Sequence, residues 1–353
     1  MGKPKYILEQ NKQGELFISD DKLESFWKTE KNHITKDLIE YKEDVFFNFP
    51  GTLVSNKNVV NIIGVPYSGG SNQLSSAVDA FPTMLRYLST KTPIYPTIDG
   101  VKTSGIFDIN KLQTILDDCL IRDLGNIDFK EFSVEELESK VKSYIKNCIE
   151  NKSKFSFIGG DHSITYYILK NLQLGERNVT YIHLDAHLDC GMDPFRLDND
   201  IHHGNFVRHL LTNNIVDQVI QLGVRGMRAI GQYYQDPRLH TIPSKYLNKE
   251  SVNNLLREHI DTNTLVYVSF DVDVLDPSDF PDVDFPSPGG PSIDTVLDII
   301  ECFHSIPNLI GFDFVEGKGT SAVDDIPYHY DLLSYIYTRL LNVLSKNKFT
   351  IGG

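Results

Sequence analysis

The sequence is short of several things, and each shortage removes a class of protein. It has four cysteines, Cys119, Cys148, Cys190 and Cys302, scattered with no Cys-x-x-Cys pair. That excludes a zinc knuckle and a disulfide framework. A reduced, cytoplasmic setting is expected, with each thiol structural. Long apolar runs are also missing. No stretch approaches the ~20 residues of a membrane span. The start, Met1-Gly2-Lys3-Pro4-Lys5-Tyr6, has neither an apolar signal core nor the Ser or Thr of a myristoylation motif. Positive charge is scarce, with 34 bases against 48 acids and a net charge of -14. Nucleic acid and anionic membrane surfaces are therefore not expected as partners, and the summed field favours a cationic ligand. Repeats, low-complexity segments and linkers are absent too. The 353 residues read as one large unit, 59–353, behind a charged N-terminal extension, 1–58, that packs on it.

What is present is concentrated in Tyr181-Ile182-His183-Leu184-Asp185-Ala186-His187-Leu188-Asp189. His, Asp, His and Asp occupy alternate positions. In an extended chain alternate side chains share a face, and Ile182, Leu184 and Ala186 fill the other. Imidazoles and carboxylates on a buried strand are costly without compensating charge. A divalent metal supplies it. A solvated polar edge strand is the bland alternative, and Tyr-Ile-His-Leu is too apolar for that.

Similar apolar runs recur, alternating with helical patterns. Val59–Pro66, Ile121–Asn126, Phe155–Ile158, Val179–Asp185, Ile215–Val224, Leu265–Asp273 and Leu309–Glu316 read as strands. Ala80–Leu88, Ser133–Ile149, Ile164–Leu172, Ile293–Phe303 and Pro327–Leu344 read as helices, the second opened by a Ser133-x-x-Glu136 capping box. Near-continuous apolar strands between helices predict an α/β class protein, a parallel sheet covered on both faces. Polar residues gather at the strands' carboxyl ends, where open α/β sheets bind ligands. They are Asp161 and His162, Asp185 to Asp189, Asp271 and Asp273, and Glu316. Two His and four Asp suit a hard or borderline divalent ion such as Mn²⁺ better than Zn²⁺. Six donors are too many for one small ion and fit two, which points to metal-assisted hydrolysis.

Three segments carry a resemblance. Gly159-Gly160-Asp161-His162-Ser163, Asp185-Ala186-His187-Leu188-Asp189 and Ser269-Phe270-Asp271-Val272-Asp273-Val274-Leu275-Asp276-Pro277 look like the three signatures of the ureohydrolases, the arginase and agmatinase superfamily. Order and spacing match as well, with smaller echoes from Ile63-Gly64-Val65-Pro66 to Gly289-Gly290. The resemblance implies a three-layer α/β/α fold and two Mn²⁺ ions per subunit. His162, Asp185, Asp189 and Asp271 would hold one ion. His187, Asp185, Asp271 and Asp273 would hold the other, with Asp185 and Asp271 bridging. Asp189 would also orient the attacking water. His203 would be the proton shuttle, with His202 beside it as the alternative. Glu316 would pair with the substrate guanidinium. A homo-oligomer is expected by the same analogy. His183 has no ligand counterpart and reads as a supporting or core residue. Asp161 reads as a structural acceptor, and Asp276-Pro277 as a turn. His209, His240, His259, His304 and His329 read as surface or packing residues.

The chain departs from the resemblance at the rim. Leu222-Gly223-Val224-Arg225 is followed by Gly226-Met227-Arg228, where arginases carry acids that read the α-amino group. Arg228 would repel an α-ammonium. Asp284-Phe285-Pro286 replaces a small Gly-Thr pair, and Asp193, Asp198 and Asp200 stand in the loop that ordinarily reads the α-carboxylate. Asp284 and Arg228 are thus expected to contact substrate. The expected reaction is hydrolysis of a guanidino group to urea and an amine, on an arginine side chain within a peptide rather than on free arginine. Agmatine, guanidinobutyrate and formiminoglutamate are the alternatives, and a catalytically silent scaffold is the reading from another class.

Overall fold

The computed structural model describes residues 59–71, 77–89, 105–117, 119–172, 177–191, 200–228, 233–319 and 326–348, plus the backbone of three short strands nearer the start. The rest of the expected extension, and Asp193 and Asp198, lie outside the described residues. The strands are β1 (Glu9–Gln10), β2 (Leu16–Phe17), β3 (Ile39–Glu40), β4 (Val59–Gly64), β5 (Ile106–Asp108), β6 (Gln113–Ile115), β7 (Leu120–Ile127), β8 (Lys154–Ile158), β9 (Val179–Leu184), β10 (Gln218–Leu222), β11 (Leu239–Ile242), β12 (Leu265–Asp271) and β13 (Leu309–Val315). The helices are α1 (Phe81–Ser89), α2 (Val134–Glu150), α3 (Ile164–Lys170), α4 (Phe206–Thr212), α5 (Lys249–His259), α6 (Ile293–Cys302) and α7 (Asp331–Lys346).

The main sheet runs β11-β10-β9-β12-β13-β8-β4-β7-β3. Every pairing is parallel except the last, where Ile39 and Glu40 add an antiparallel edge to β7. Alternation along each strand sends apolar side chains to both faces. Ile182, Leu184, Val268, Phe270 and Phe314 meet α1, α5, α6 and α7 on one side. Tyr181, Phe155, Phe157 and Tyr267 meet α2, α3 and α4 on the other. Each fully buried apolar side chain of this kind contributes roughly 1.5–3 kcal/mol. The result is the α/β/α sandwich that the alternating pattern predicts. Its consequence for the site is the central order β9-β12-β13-β8, which sets four carboxyl ends side by side.

Three local expectations change. The strand expected through Asp273 stops at Asp271, and the chain winds into a 3₁₀ turn over Val272–Val274. The Asp271 carboxylate makes that turn by accepting from Asp273 N at 2.8 Å. Ser133 caps α2 by accepting from Glu136 N at 3.2 Å, but no reciprocal box forms. Glu136 accepts instead from the backbone of Lys130 and Glu131. Finally, α4, α5, β11 and the β5–β6 hairpin join the elements read from the sequence.

Candidate metal centre and its cavity

His162 leaves the end of β8 on a glycine turn. A Cβ on Gly160 would lie 1.9 Å from Tyr67 O, so only glycine lets the turn pack there. Asp161 is the structural acceptor the sequence suggests, bonded by Gly70 N at 2.7 Å and Ser163 N at 2.9 Å. The His162 ring then drops between strand ends. Its Nδ1 lies 2.9 Å from Asp271 Oδ2, 3.2 Å from Asp185 Oδ2 and 3.4 Å from Asp189 Oδ2. His187 Nδ1 lies 2.8 Å from Asp273 Oδ2 and 3.3 Å from Asp185 Oδ1. Two groups of donors result, each within 4.8 Å: His162, His183, Asp185 and Asp189, and Asp185, His187 and Asp273. Asp185 belongs to both. Asp271 serves the first through His162, while its Oδ1 holds Asp273 N.

The hydrogen bonds beneath the cluster decide which histidine can ligate. Gln221 Nε2 donates to Leu188 O at 2.7 Å, which fixes that end of the amide as the donor. The same atom lies 3.0 Å from His183 Nδ1, which therefore accepts. The proton of His183 sits on Nε2 and is donated to Asp185 Oδ2 at 2.7 Å. Both ring nitrogens are used, so His183 steers a carboxylate and holds no ion. His162 is the reverse case. Asp313 accepts from Thr165 Oγ1 at 2.9 Å and from Ser269 Oγ. With its proton spent, Ser269 Oγ accepts from His162 Nε2 at 2.8 Å. Nδ1 is left as a fully buried lone pair with no hydrogen-bond partner, facing three carboxylates. Only a proton or a cation satisfies that arrangement, and the donor set suits a hard divalent ion. Gln221, Ser269, Thr165 and Asp313 had no role in the sequence reading. The available signal was a polar residue inside an apolar strand, as in Ile220-Gln221-Leu222 and Phe312-Asp313-Phe314.

The electrostatics agree. Burial raises the proton affinity of every carboxylate here. Against it, His183, His162 and His187 hold Asp185 well below the usual range. Asp189 and Asp271 are pushed well up by burial and by neighbouring carboxylates, and Asp273 is pushed up to about 6 by burial and the charge of Asp185. Burial works against a charged His187, yet the bonds and charges of Asp185 and Asp273 push it up to about 12. Excess buried negative charge of this kind is what bound cations relieve.

The cluster opens into a cavity of about 400 Å³ lined by His187, Asp189, Cys190, His203, Arg228, Asp271, Asp273, Phe285 and Glu316, among others. Glu316, at φ +63 just past β13, accepts from His162 N at 2.8 Å and faces His203 Nδ1 at 3.2 Å. Burial disfavours a charged His203, but the bond to Glu316 raises its proton affinity overall. His202 is not among the residues lining the cavity and accepts from Gly204 N at Nδ1. Arg228 reaches the rim and is exposed, its guanidinium meeting only Met227 O, at 3.4 Å, among the described residues. Asp284, expected beside it, departs from that expectation. Its side chain is 2% exposed and paired with Lys318 at 2.7 Å. The cavity instead receives Phe285. Asp276 makes the expected turn, accepting from Ser278 N, Gly289 N and Gly290 N.

An α/β/α sandwich with clustered His and Asp at its central strand ends is the framework of a metal-dependent hydrolase. The chain belongs to the arginase family, whose model matches residues 58–325, a family of hydrolases acting on guanidino C–N bonds. It is 28% identical over 214 residues to an agmatinase of Blochmanniella floridana, covering 60% of this chain and 65% of that protein. It is 28% identical over 265 residues to proclavaminate amidinohydrolase of Streptomyces clavuligerus, covering 73% and 79%. The solved structure of a Streptomyces clavuligerus proclavaminate amidino hydrolase shares the fold at a TM-score of 0.67 and 24% identity, over 87% of this chain and 98% of that one. Formimidoylglutamase from Bacillus subtilis shares it at 0.69 and 20% identity, over 91% and 99%.

Proposed function

We propose that this chain hydrolyses the guanidino group of an arginine-type substrate to urea and an amine, using two Mn²⁺ ions. His162, Asp185, Asp189 and Asp271 would hold one ion, and His187, Asp185, Asp271 and Asp273 the other. When bound, the two ions supply the Lewis acidity that makes water nucleophilic at neutral pH. The chain's own residues do the rest. Asp189 orients the attacking water. Glu316 keeps Oε1 on His162 N and His203, which leaves Oε2 for a guanidinium N–H. His203 holds a proton against Glu316 and delivers it to the departing amine. A cytoplasmic setting fits the four free cysteines, and a homo-oligomer follows the family analogy.

The substrate's tail is read from Arg228. With the ions balancing the metal-holding carboxylates, Glu316 is the acid left in the cavity lining to suit a guanidinium, while the exposed cation at the rim opposes a second positive charge. Free arginine carries an α-ammonium and agmatine a terminal one. An arginine side chain within a peptide carries neither, and it is the substrate that fits best. A guanidino acid such as guanidinobutyrate is the second reading, because its carboxylate would meet Arg228. Formiminoglutamate shares that carboxylate but would release formamide. The test is a product screen with Mn²⁺-loaded protein on an N-acetylated arginine amide, guanidinobutyrate, formiminoglutamate, agmatine and arginine. Urea from the capped arginine or the guanidino acid in preference to agmatine and arginine is expected. Preferred turnover of either ammonium-bearing compound would overturn the reading of Arg228.

A further inference from the structure

The feature still without a purpose is Phe285. A phenyl ring 42% exposed at the mouth of a charged cavity is an unfavourable place for an apolar side chain. The residues on either side of it are anchored. On one side, the buried Asp284 carboxylate is tied to Lys318 at 2.7 Å. On the other, Ser287 O accepts from Arg225 Nε at 2.9 Å and from Nη2 at 2.7 Å. Pro286 stands between the anchors and fixes its own φ. The ring lies 5.4 Å from the His203 ring and 6.4 Å from the His187 ring, steeply inclined to both. It therefore stands over the gap between Glu316's partner and the second donor group. Phe285 and Glu316 line the same cavity.

From this placement we propose that Phe285 is a specificity-determining residue, a fixed aromatic wall against which a planar cation lies as it pairs with Glu316. The inference rests on the function proposed above and adds how the guanidinium is told from other cations. A guanidinium is flat, delocalised and weakly hydrated, so it can meet an aromatic ring and a carboxylate at once. A compact ammonium is more strongly hydrated and gains less from the ring. The wall also limits width: a guanidinium carrying an extra methyl on a terminal nitrogen, beyond the single alkyl chain of an arginine side chain, would meet the ring between the two anchored residues.

The test uses full-length Mn²⁺-loaded protein and the best substrate of the urea screen. Phe285→Tyr keeps a ring, Phe285→Leu keeps apolar bulk without one, and Phe285→Ala removes both. Phe285→Tyr is expected to retain the parent KM. Phe285→Leu should raise KM by roughly two- to fivefold, the size of a cation–π contact at an exposed site, with kcat and bound Mn²⁺ unchanged. Methylguanidine, added as a competitive inhibitor, should weaken against Phe285→Leu in parallel, and Phe285→Ala should accept an N-methylated guanidino substrate that the parent rejects. A KM unmoved in Phe285→Leu overturns the inference alone. So does a loss of Mn²⁺ in that variant, which would make the ring mere packing for the histidines. Absence of urea from every compound in the parent protein overturns the proposed function and this inference together.

Discussion

Asp185 draws three imidazoles, His162, His183 and His187, around one carboxylate. Without metal, protons must do part of the metal's work. Burial opposes a charged His162, but Asp185 and Asp189 outweigh it and push it up to about 9 from 6.5. A folded pKa raised above the unfolded one stabilises below the unfolded value and loses that stabilisation as pH climbs through the folded one. For His162 the loss falls between 6.5 and about 9. For Asp273, raised by burial and Asp185, it falls between 3.8 and about 6. Metal-free protein should therefore melt at progressively lower temperature from mildly acid to pH 9, and Mn²⁺ should flatten that slope. Equal slopes with and without Mn²⁺ in a thermal melt would contradict this. At this scale the sequence was legible in residue type and less so in direction. Extended-chain alternation aims His183 and Asp185 correctly. His187 and Asp189, however, lie beyond the end of β9 and reach the cluster from a loop, Asp189 at φ +48. Which imidazole ligates depended on Gln221 and Ser269, contacts that no spacing rule contains.

Among the elements, the turn after β12 carries the most. Arg225 alone donates to the carbonyls of Gly223, Asp273, Val274, Leu275 and Ser287. It joins the Val272–Val274 turn to the loop bearing Phe285, and Ser287 Oγ sits 3.3 Å from His187 Nε2. Replacing Arg225 by Met should cost about 2–3 kcal/mol through unsatisfied carbonyls. It should also loosen the ion held by His187 and Asp273 before the one held by His162. A denaturant titration and a Mn²⁺ count check the two parts; unchanged stability with both ions retained would refute the clamp. The strands were readable because apolar β-branched runs bounded by Gly and Pro have few alternative structures. The rim was not. Asp284 looks like a substrate acid in the sequence, and only the fold brings Lys318 to it.

For the whole molecule, the net charge of -14 stays negative even with two divalent ions added. Attraction of a guanidinium substrate should add to kcat/KM at low salt and fade as the screening length shrinks from about 30 Å to about 3 Å. A kcat/KM that ignores salt would show that the field plays no part in capture. The architecture was legible from the alternation of strands and helices, but strand order was not, since periodicity does not say which strands are neighbours. That order bears on how the protein is made. All the expected metal ligands, from His162 to Asp273, precede β13 in the chain, yet β13 is the strand that lies between β12 and β8. A growing chain holds every donor well before it can aim them. Until residues 309–315 slot into the middle of the sheet, the His162 turn has no fixed distance to the β9 and β12 ends. Capture of the proposed ions would thus be deferred to the closing of the sheet, a long-range step that comes late in synthesis.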